Sequence, residues 1–256
     1  MLFNIYSYTN KGARSYNEDC GGYWQDFQQD RNNSRGVYVL ADGLGGHGYG
    51  EVASRFTVEY ILGVAGQRFP AGEADLLSLM NNVNTAIMHK QNADPKYKQM
   101  RTTVAAGFFS ENLFSYFNVG DSRVYYFKNG CLYMQTKDHS VSQMSVNLGE
   151  IRQEDIRFHD DRSKLLKVLG DVPSLNINKL DPPIPTESGD AFLLCSDGFW
   201  EYIYETEMEL DLVKSSSPKE WCEFMCKRLL HRVYDGNINN DNFTVICGIA
   251  TGSAEL

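Results

Sequence analysis

The chain has 256 residues, 42% hydrophobic and 22% charged, which fits one large globular domain or two small ones with a sizeable core. A formal net charge of -9 excludes the basic footprint of a nucleic-acid binder, and no apolar run approaches the ~20 residues of a membrane span. The six cysteines are scattered without paired spacing, and no charged start leads into an apolar core, so a reduced, cytoplasmic protein is expected.

Residues 2–8 alternate loosely and predict a first strand. Residues 9–19 form a polar turn segment ending in two adjacent acids, and 25–36 predict a surface loop. Residues 37–41 are a near-continuous apolar run, the pattern of a strand buried on both faces. Asp42 stands at its carboxyl end, followed by glycines that permit positive φ and close backbone approach. Val52, Phe56, Tyr60 and Val64 recur every four residues and predict a helix of about four turns. Leu76, Met80, Val83 and Ile87 predict a second, with residues 66–72 between them.

A β meander follows, over 104–109, 113–119, 124–127 and 131–134, with Asn129-Gly130 as a hairpin turn. Residues 138–170 read as an excursion with short helices, and 181–185 as an extended connector. Residues 191–196 predict a buried strand ending in Asp197-Gly198. Ser217-Pro218-Lys219-Glu220 combines an N-cap, Pro at N1 and a capping box, opening a helix with Trp221, Met225, Leu229 and Val233 on one face. Residues 243–249 predict a last strand. Paired helices and meandering strands give an α+β fold.

Acids stand at strand ends or in polar turns at Glu18, Asp19, Asp42, Asp121, Asp197 and Asp241. If these ends converge, the like charges repel, by about 4 kcal/mol for a pair 4 Å apart at an effective dielectric of ~20. Such a cluster needs cations, and all-oxygen ligands select hard ones: Mg²⁺ or Mn²⁺ ahead of Ca²⁺. Two such ions can share a hydroxide and orient a phosphate for in-line attack.

Arg14-x-x-Asn17-Glu18-Asp19, Asp42-Gly43-Leu44-Gly45-Gly46-His47, Gly120-Asp121-Ser122-Arg123, Cys195-Ser196-Asp197-Gly198 and Asp241-Asn242 occur in that order. With Thr102-Thr103 and Asp138-His139-Ser140, they resemble the metal-dependent serine/threonine protein phosphatases of type 2C, in their bacterial form, over residues 5–250. The resemblance implies a single catalytic domain over 1–256. In it a central antiparallel β-sandwich is flanked by helix pairs in four αββα layers, with a flap over 140–168. It implies hydrolysis of phosphoserine and phosphothreonine on proteins, the substrates of a serine/threonine kinase, by a hydroxide bridging two Mn²⁺ or Mg²⁺ ions.

By the same resemblance, Asp42 would bridge the ions, Glu18 and the Gly43 carbonyl would bind one, and Asp197 and Asp241 the other. Asp19 would hold a metal-bound water, Asp121 would help hold a third ion, and Arg14 would grip the substrate phosphate. Two positions depart from family patterns. Leu44 stands where some members carry a histidine acid, which leaves metal-bound water as proton donor, and Glu201 stands where an Asp is frequent.

Other readings are weaker. Gly43-x-Gly45-x-x-Gly48 matches a dinucleotide-binding fingerprint, but a second helical pattern follows where a parallel strand is required. Cys222-x5-Arg228 and Cys226-x5-Arg232 have the spacing of cysteine-dependent phosphatases, yet lie in a helical pattern without the glycines of an anion nest. A non-catalytic phosphatase-like binding module would lack a metal ligand, and none of Glu18, Asp42, Asp197 and Asp241 is missing. Of the five histidines, His89, His159 and His231 read as surface or rim residues, His139 as a local hydrogen-bonding group, and only His47 as near the cleft.

Overall fold

The structure, a computed structural model, describes residues 1–26, 34–44, 49–70, 72–173, 175 and 177–252. Among them two antiparallel sheets face each other. The first runs in the order β1 (Leu2–Asn10), β12 (Phe243–Thr251), β11 (Ala191–Cys195), β7 (Arg123–Lys128), β8 (Cys131–Gln135). The second runs β10 (Ile184–Pro185), β6 (Leu113–Val119), β5 (Val104–Ser110), β3 (Arg35–Leu44), β2 (Asp19–Asp26). There β4 (Arg101–Thr102) pairs with β3 and β9 (Asn178–Lys179) with β6.

The sequence pattern of β3 explains the layering. Tyr38 and Leu40 point between the sheets, where they meet Phe3, Phe114, Phe192 and Ile246. Val37, Val39 and Ala41 point the other way, onto α1 (Tyr49–Gln67) and α2 (Glu73–Ala93). A strand covered on both faces can be apolar at every position despite its period of two. On the far side, α5 (Glu205–Lys214) and α6 (Pro218–Gly236) cover the first sheet through Met208, Trp221, Met225 and Leu229. The expected α+β sandwich with four layers is present. Among the described residues no helix is long and apolar enough to cross a membrane.

Several expectations need correction. The meander is not confined to one sheet. β5 and β6 belong to the second and β7 and β8 to the first, so the Gly120-Asp121-Ser122 turn carries the chain across the sandwich. β2 and α5 carry no clear periodicity in the sequence. Gly21 and Gly22 hide β2, and both face close neighbours. A Cβ on Gly21 would lie 3.2 Å from Thr244, and one on Gly22 2.9 Å from Leu62. β3 does not end at Asp42; it runs on to Leu44 because β4 adds a further pairing partner, Gly43 opposite Thr102. The connector at 181–185 supplies a short edge strand on β6.

The capping box at α6 is divided. Ser217 Oγ accepts from the Glu220 N–H at 3.2 Å, but the Glu220 carboxylate takes Ser216 instead of the cap residue. Asn129 and Gly130 adopt positive φ as a two-residue hairpin requires.

Candidate active site

The acids singled out in the sequence meet at one end of the sandwich. Asp19 opens β2 and lies directly opposite Asp42 in the β2–β3 ladder. Asp42 is pinned at both backbone atoms. Its N–H donates to Thr103 Oγ1 at 3.0 Å, while its carbonyl accepts from Thr103 N–H at 2.8 Å and Thr102 Oγ1 at 2.7 Å. Asp197 opens the short helix α4 (Asp197–Trp200) directly after β11. Asp241 precedes β12, and Asp121 sits in the crossing turn between β6 and β7.

Asn242 staples the Arg14–Glu18 loop to the Asp241 segment. Its amide donates to the carbonyls of Lys11 and Tyr16, and its oxygen accepts from Glu18 N–H at 2.8 Å. Glu18 is further held by its backbone, whose carbonyl accepts from Ser54 Oγ at 2.5 Å and Gly43 N–H at 3.1 Å. Close approach is obligatory here. A Cβ on Gly43 would lie 2.1 Å from the Gly50 carbonyl, and one on Gly50 2.7 Å from Glu18 Oε1. Gly50 and Ser54 carry no signal in the sequence, because their role depends on where α1 begins relative to β3.

The electrostatics show mutual repulsion. Burial first, then Asp19, Asp197, Asp121 and Asp241, push the Asp42 carboxyl well above the usual carboxylate range. Burial raises Asp19 to about 7 and Asp197 to about 6, with neighbouring acids adding to both. Glu18 and Asp121 are raised too, Asp121 strongly, by burial and then by Asp241 and Asp197 respectively.

The remaining carboxylates hold protein groups. Asp19 Oδ2 accepts from Ser196 Oγ at 2.7 Å, and Asp241 Oδ2 pairs with Arg14 at 2.6 Å. Among the described residues no three His, Cys, Asp or Glu side chains are already gathered as a ligand set.

The residues nonetheless fit hard cations. Every candidate donor is oxygen, and the acids repel each other by Coulomb forces that a divalent ion would reverse. Asp19 Oδ1 is buried with no hydrogen-bond partner among the described residues, and a carboxylate oxygen left this way is costly unless something binds it. The Gly43–Gly50 contact keeps the space beside Glu18 free of side chains.

Glu201, raised to about 7 chiefly by burial, takes Arg162 at 2.7 Å, an ion pair with no local signal in the sequence. Cys222 and Cys226 are buried on α6 among the core residues. The Gly45-Gly46-His47-Gly48 stretch lies outside the described residues, and with it the question of His47. The antiparallel pairing of β3 with both β2 and β5 rules out the parallel unit that a dinucleotide site requires.

The family pattern of protein phosphatase 2C matches residues 15–238. The serine/threonine phosphatase stp of Listeria welshimeri is 32% identical over 213 residues, 81% of each chain. The crystal structure of the Mycobacterium tuberculosis serine/threonine phosphatase PstP/Ppp superposes with a TM-score of 0.82 at 26% identity, covering 98% of this chain and 100% of that one. The catalytic domain of serine threonine protein phosphatase PstP in complex with two manganese ions superposes with a TM-score of 0.77 at 25% identity, over 98% and 99%.

Proposed function

The chain belongs to the protein phosphatase 2C family, and we propose that this serine/threonine phosphatase hydrolyses phosphoserine and phosphothreonine on proteins with two Mn²⁺ or Mg²⁺ ions. The observation that carries the reading is the meeting of Glu18, Asp19, Asp42, Asp197 and Asp241 at one end of the sandwich, with each carboxyl whose shift is resolved raised by burial and by its neighbours. The manganese complex of the PstP catalytic domain supports the choice of ion.

In this reading Glu18, Asp42, the Gly43 carbonyl, Asp197 and Asp241 would hold the ions, and Asp121 would contribute at the margin. Bound divalent cations supply charge neutralisation for the phosphoryl group and a water acidic enough to attack it near neutral pH. The chain's own residues do the rest. Arg14 leaves Asp241 to present paired N–H donors to the phosphate oxygens. Asp19 Oδ1 is the free acceptor for a proton of the attacking water, while Ser196 Oγ fixes the orientation of the carboxylate through Oδ2. The phosphoester P–O bond breaks as the new one forms, and the serine or threonine oxygen leaves and takes up a proton from solvent. Residues 140–168 act as a flap beside the cleft. The physiological substrates are the phosphoproteins made by a serine/threonine kinase in the cytoplasm.

Turnover of phosphoserine and phosphothreonine peptides, with and without chelator, tests this. Chelation is expected to abolish activity and Mn²⁺ or Mg²⁺ to restore it. Undiminished turnover in thoroughly chelated protein would refute the reading.

A further inference from the structure

The Gly120-Asp121-Ser122 turn joins the two sheets, and each of its residues is held from elsewhere in the chain. The Gly120 N–H donates to His139 Nδ1 at 3.1 Å, and the His139 N–H donates back to the Gly120 carbonyl at 2.8 Å. The indole N–H of Trp200 donates to the Asp121 carbonyl at 2.9 Å. Ser122 Oγ and Thr103 Oγ1 lie 2.7 Å apart. Gly120 has a φ of +101°, and a Cβ there would lie 2.6 Å from Thr103, so the turn requires glycine.

His139 differs from the other two holders because it also belongs to the stem of the 140–168 excursion. Its carbonyl accepts from Leu166 N–H at 2.7 Å, and Val141 N–H donates to the Lys164 carbonyl at 2.9 Å. Ser140 and Leu165 form a bridge between the two sides of the stem. Ser140 then caps α3 (Val141–Asn147) through its side chain. One residue therefore ties both ends of the excursion together by its backbone and grips the crossing turn by its ring.

The chemistry of the ring is fixed by that grip. An imidazole nitrogen that accepts a hydrogen bond carries no proton, so the proton is on Nε2. Burial, with Lys167 adding to it, lowers the pKa of the ring to about 4, in keeping with a neutral form. The side chain is buried, the residue being only 7% exposed, with the Asn178 side chain as a polar neighbour of the ring. What the ring supplies, and an apolar side chain does not, is an acceptor aimed at the Gly120 N–H.

We propose that His139 is a positioning residue for the dephosphorylation reaction. Held as the Nε2-protonated tautomer, it locks the Gly120-Asp121 turn to the stem of the 140–168 excursion and so sets where the Asp121 carboxylate stands against Asp197. Its kinetic consequence rests on the phosphatase reading above; its structural one rests on geometry alone.

Two measurements on the full chain separate those parts. Nitrogen-15 spectra of histidine-labelled protein are expected to show His139 Nδ1 unprotonated and Nε2 protonated, with a Gly120 amide proton slow to exchange. A protonated Nδ1, or a Gly120 amide exchanging as fast as an exposed loop, overturns the proposal whether or not the enzyme turns over.

The second measurement compares His139→Asn, whose amide oxygen falls near the Nδ1 position, with His139→Gln, whose amide falls near Nε2. With Mn²⁺ and p-nitrophenyl phosphate, kcat is expected to fall about 10-fold or more in the Gln variant. It should stay within about 3-fold in the Asn variant, with KM within about 2-fold in both. Equal losses in the two variants, or a loss carried by KM, overturn the proposal. If wild-type chain shows no metal-dependent turnover, the phosphatase reading fails, and the nitrogen spectra still decide the tautomer and the lock. If the Gln variant does not fold, the same spectra and the Asn variant's kinetics decide.

Discussion

Arg14 is held where it is by a weak interaction. Its ion pair with Asp241 is short, at 2.6 Å, but the side chains are 61% and 41% exposed, and exposed pairs contribute about 0–1 kcal/mol. A phosphate dianion offers a stronger partner with matching bidentate geometry. Arg14→Ala is therefore expected to lower kcat/KM for a phosphopeptide by about 1.5–3 kcal/mol, with a change in folding stability within about 0.5 kcal/mol. Steady-state kinetics beside a urea titration check both, and an unchanged kcat/KM removes Arg14 from the site. The residues Thr103, Ser196 and Asn242 work differently. They hold the backbone or carboxylate of an acid and reach no substrate in the proposed mechanism, so their type alone announces nothing.

At the level of elements, the site depends on two chain segments brought within van der Waals limits. The end of β3 and the start of α1 meet at Gly43 and Gly50, and the approach leaves no room for a methyl group on either. Gly43→Ala places a carbon 2.1 Å from the Gly50 carbonyl, a backbone atom that cannot rotate away. The first turn of α1 must then shift. The expected cost is about 1–3 kcal/mol of stability, as for other overpacked positions, together with weaker Mn²⁺ binding. A urea midpoint and a calorimetric Mn²⁺ titration read the two effects. Wild-type values in both would show that the contact constrains nothing. The same scale explains what was hidden in the sequence. β2 carries two glycines and no alternation, because α1 and β12 crowd its two faces, so the usual strand signature is absent.

The whole molecule bears the cost of the acid cluster. The sandwich core, in which Phe192 lies 4.4 Å from Tyr38 and 5.3 Å from Phe114 across the sheets, supplies apolar burial against which that cost is set. Asp19, Asp42 and Asp197 have folded-state pKa values raised by burial above the unfolded carboxylate value. Groups raised in this way bind more protons folded than unfolded. Their contribution to stability is thus most favourable below the unfolded pKa and is lost as pH rises through the folded values, about 6 for Asp197 and about 7 for Asp19. Chelated protein is expected to melt at a lower temperature at about pH 8 than at about pH 5, and saturating Mn²⁺ to flatten or reverse the trend. A melting temperature that is constant or rises across that window in chelator would show that the acids are not raised.

The fold class, the long helices α1, α2 and α6, most of the strands and the identity of the six acids are legible in the chain before it folds. These follow from local periodicity and from residue types whose burial or clustering has few physical solutions. That β6 and β7 lie in different sheets, with Asp121 in the turn crossing between them, emerges from packing. So does the placing of Asp19 opposite Asp42 across a ladder, and the closing of His139, Trp200 and Thr103 on that turn from three separate parts of the chain. Sheet membership and close approach are set by which surfaces pack together. That choice minimises exposed apolar area over the whole chain and cannot be read from the local pattern of the few residues that it brings into contact.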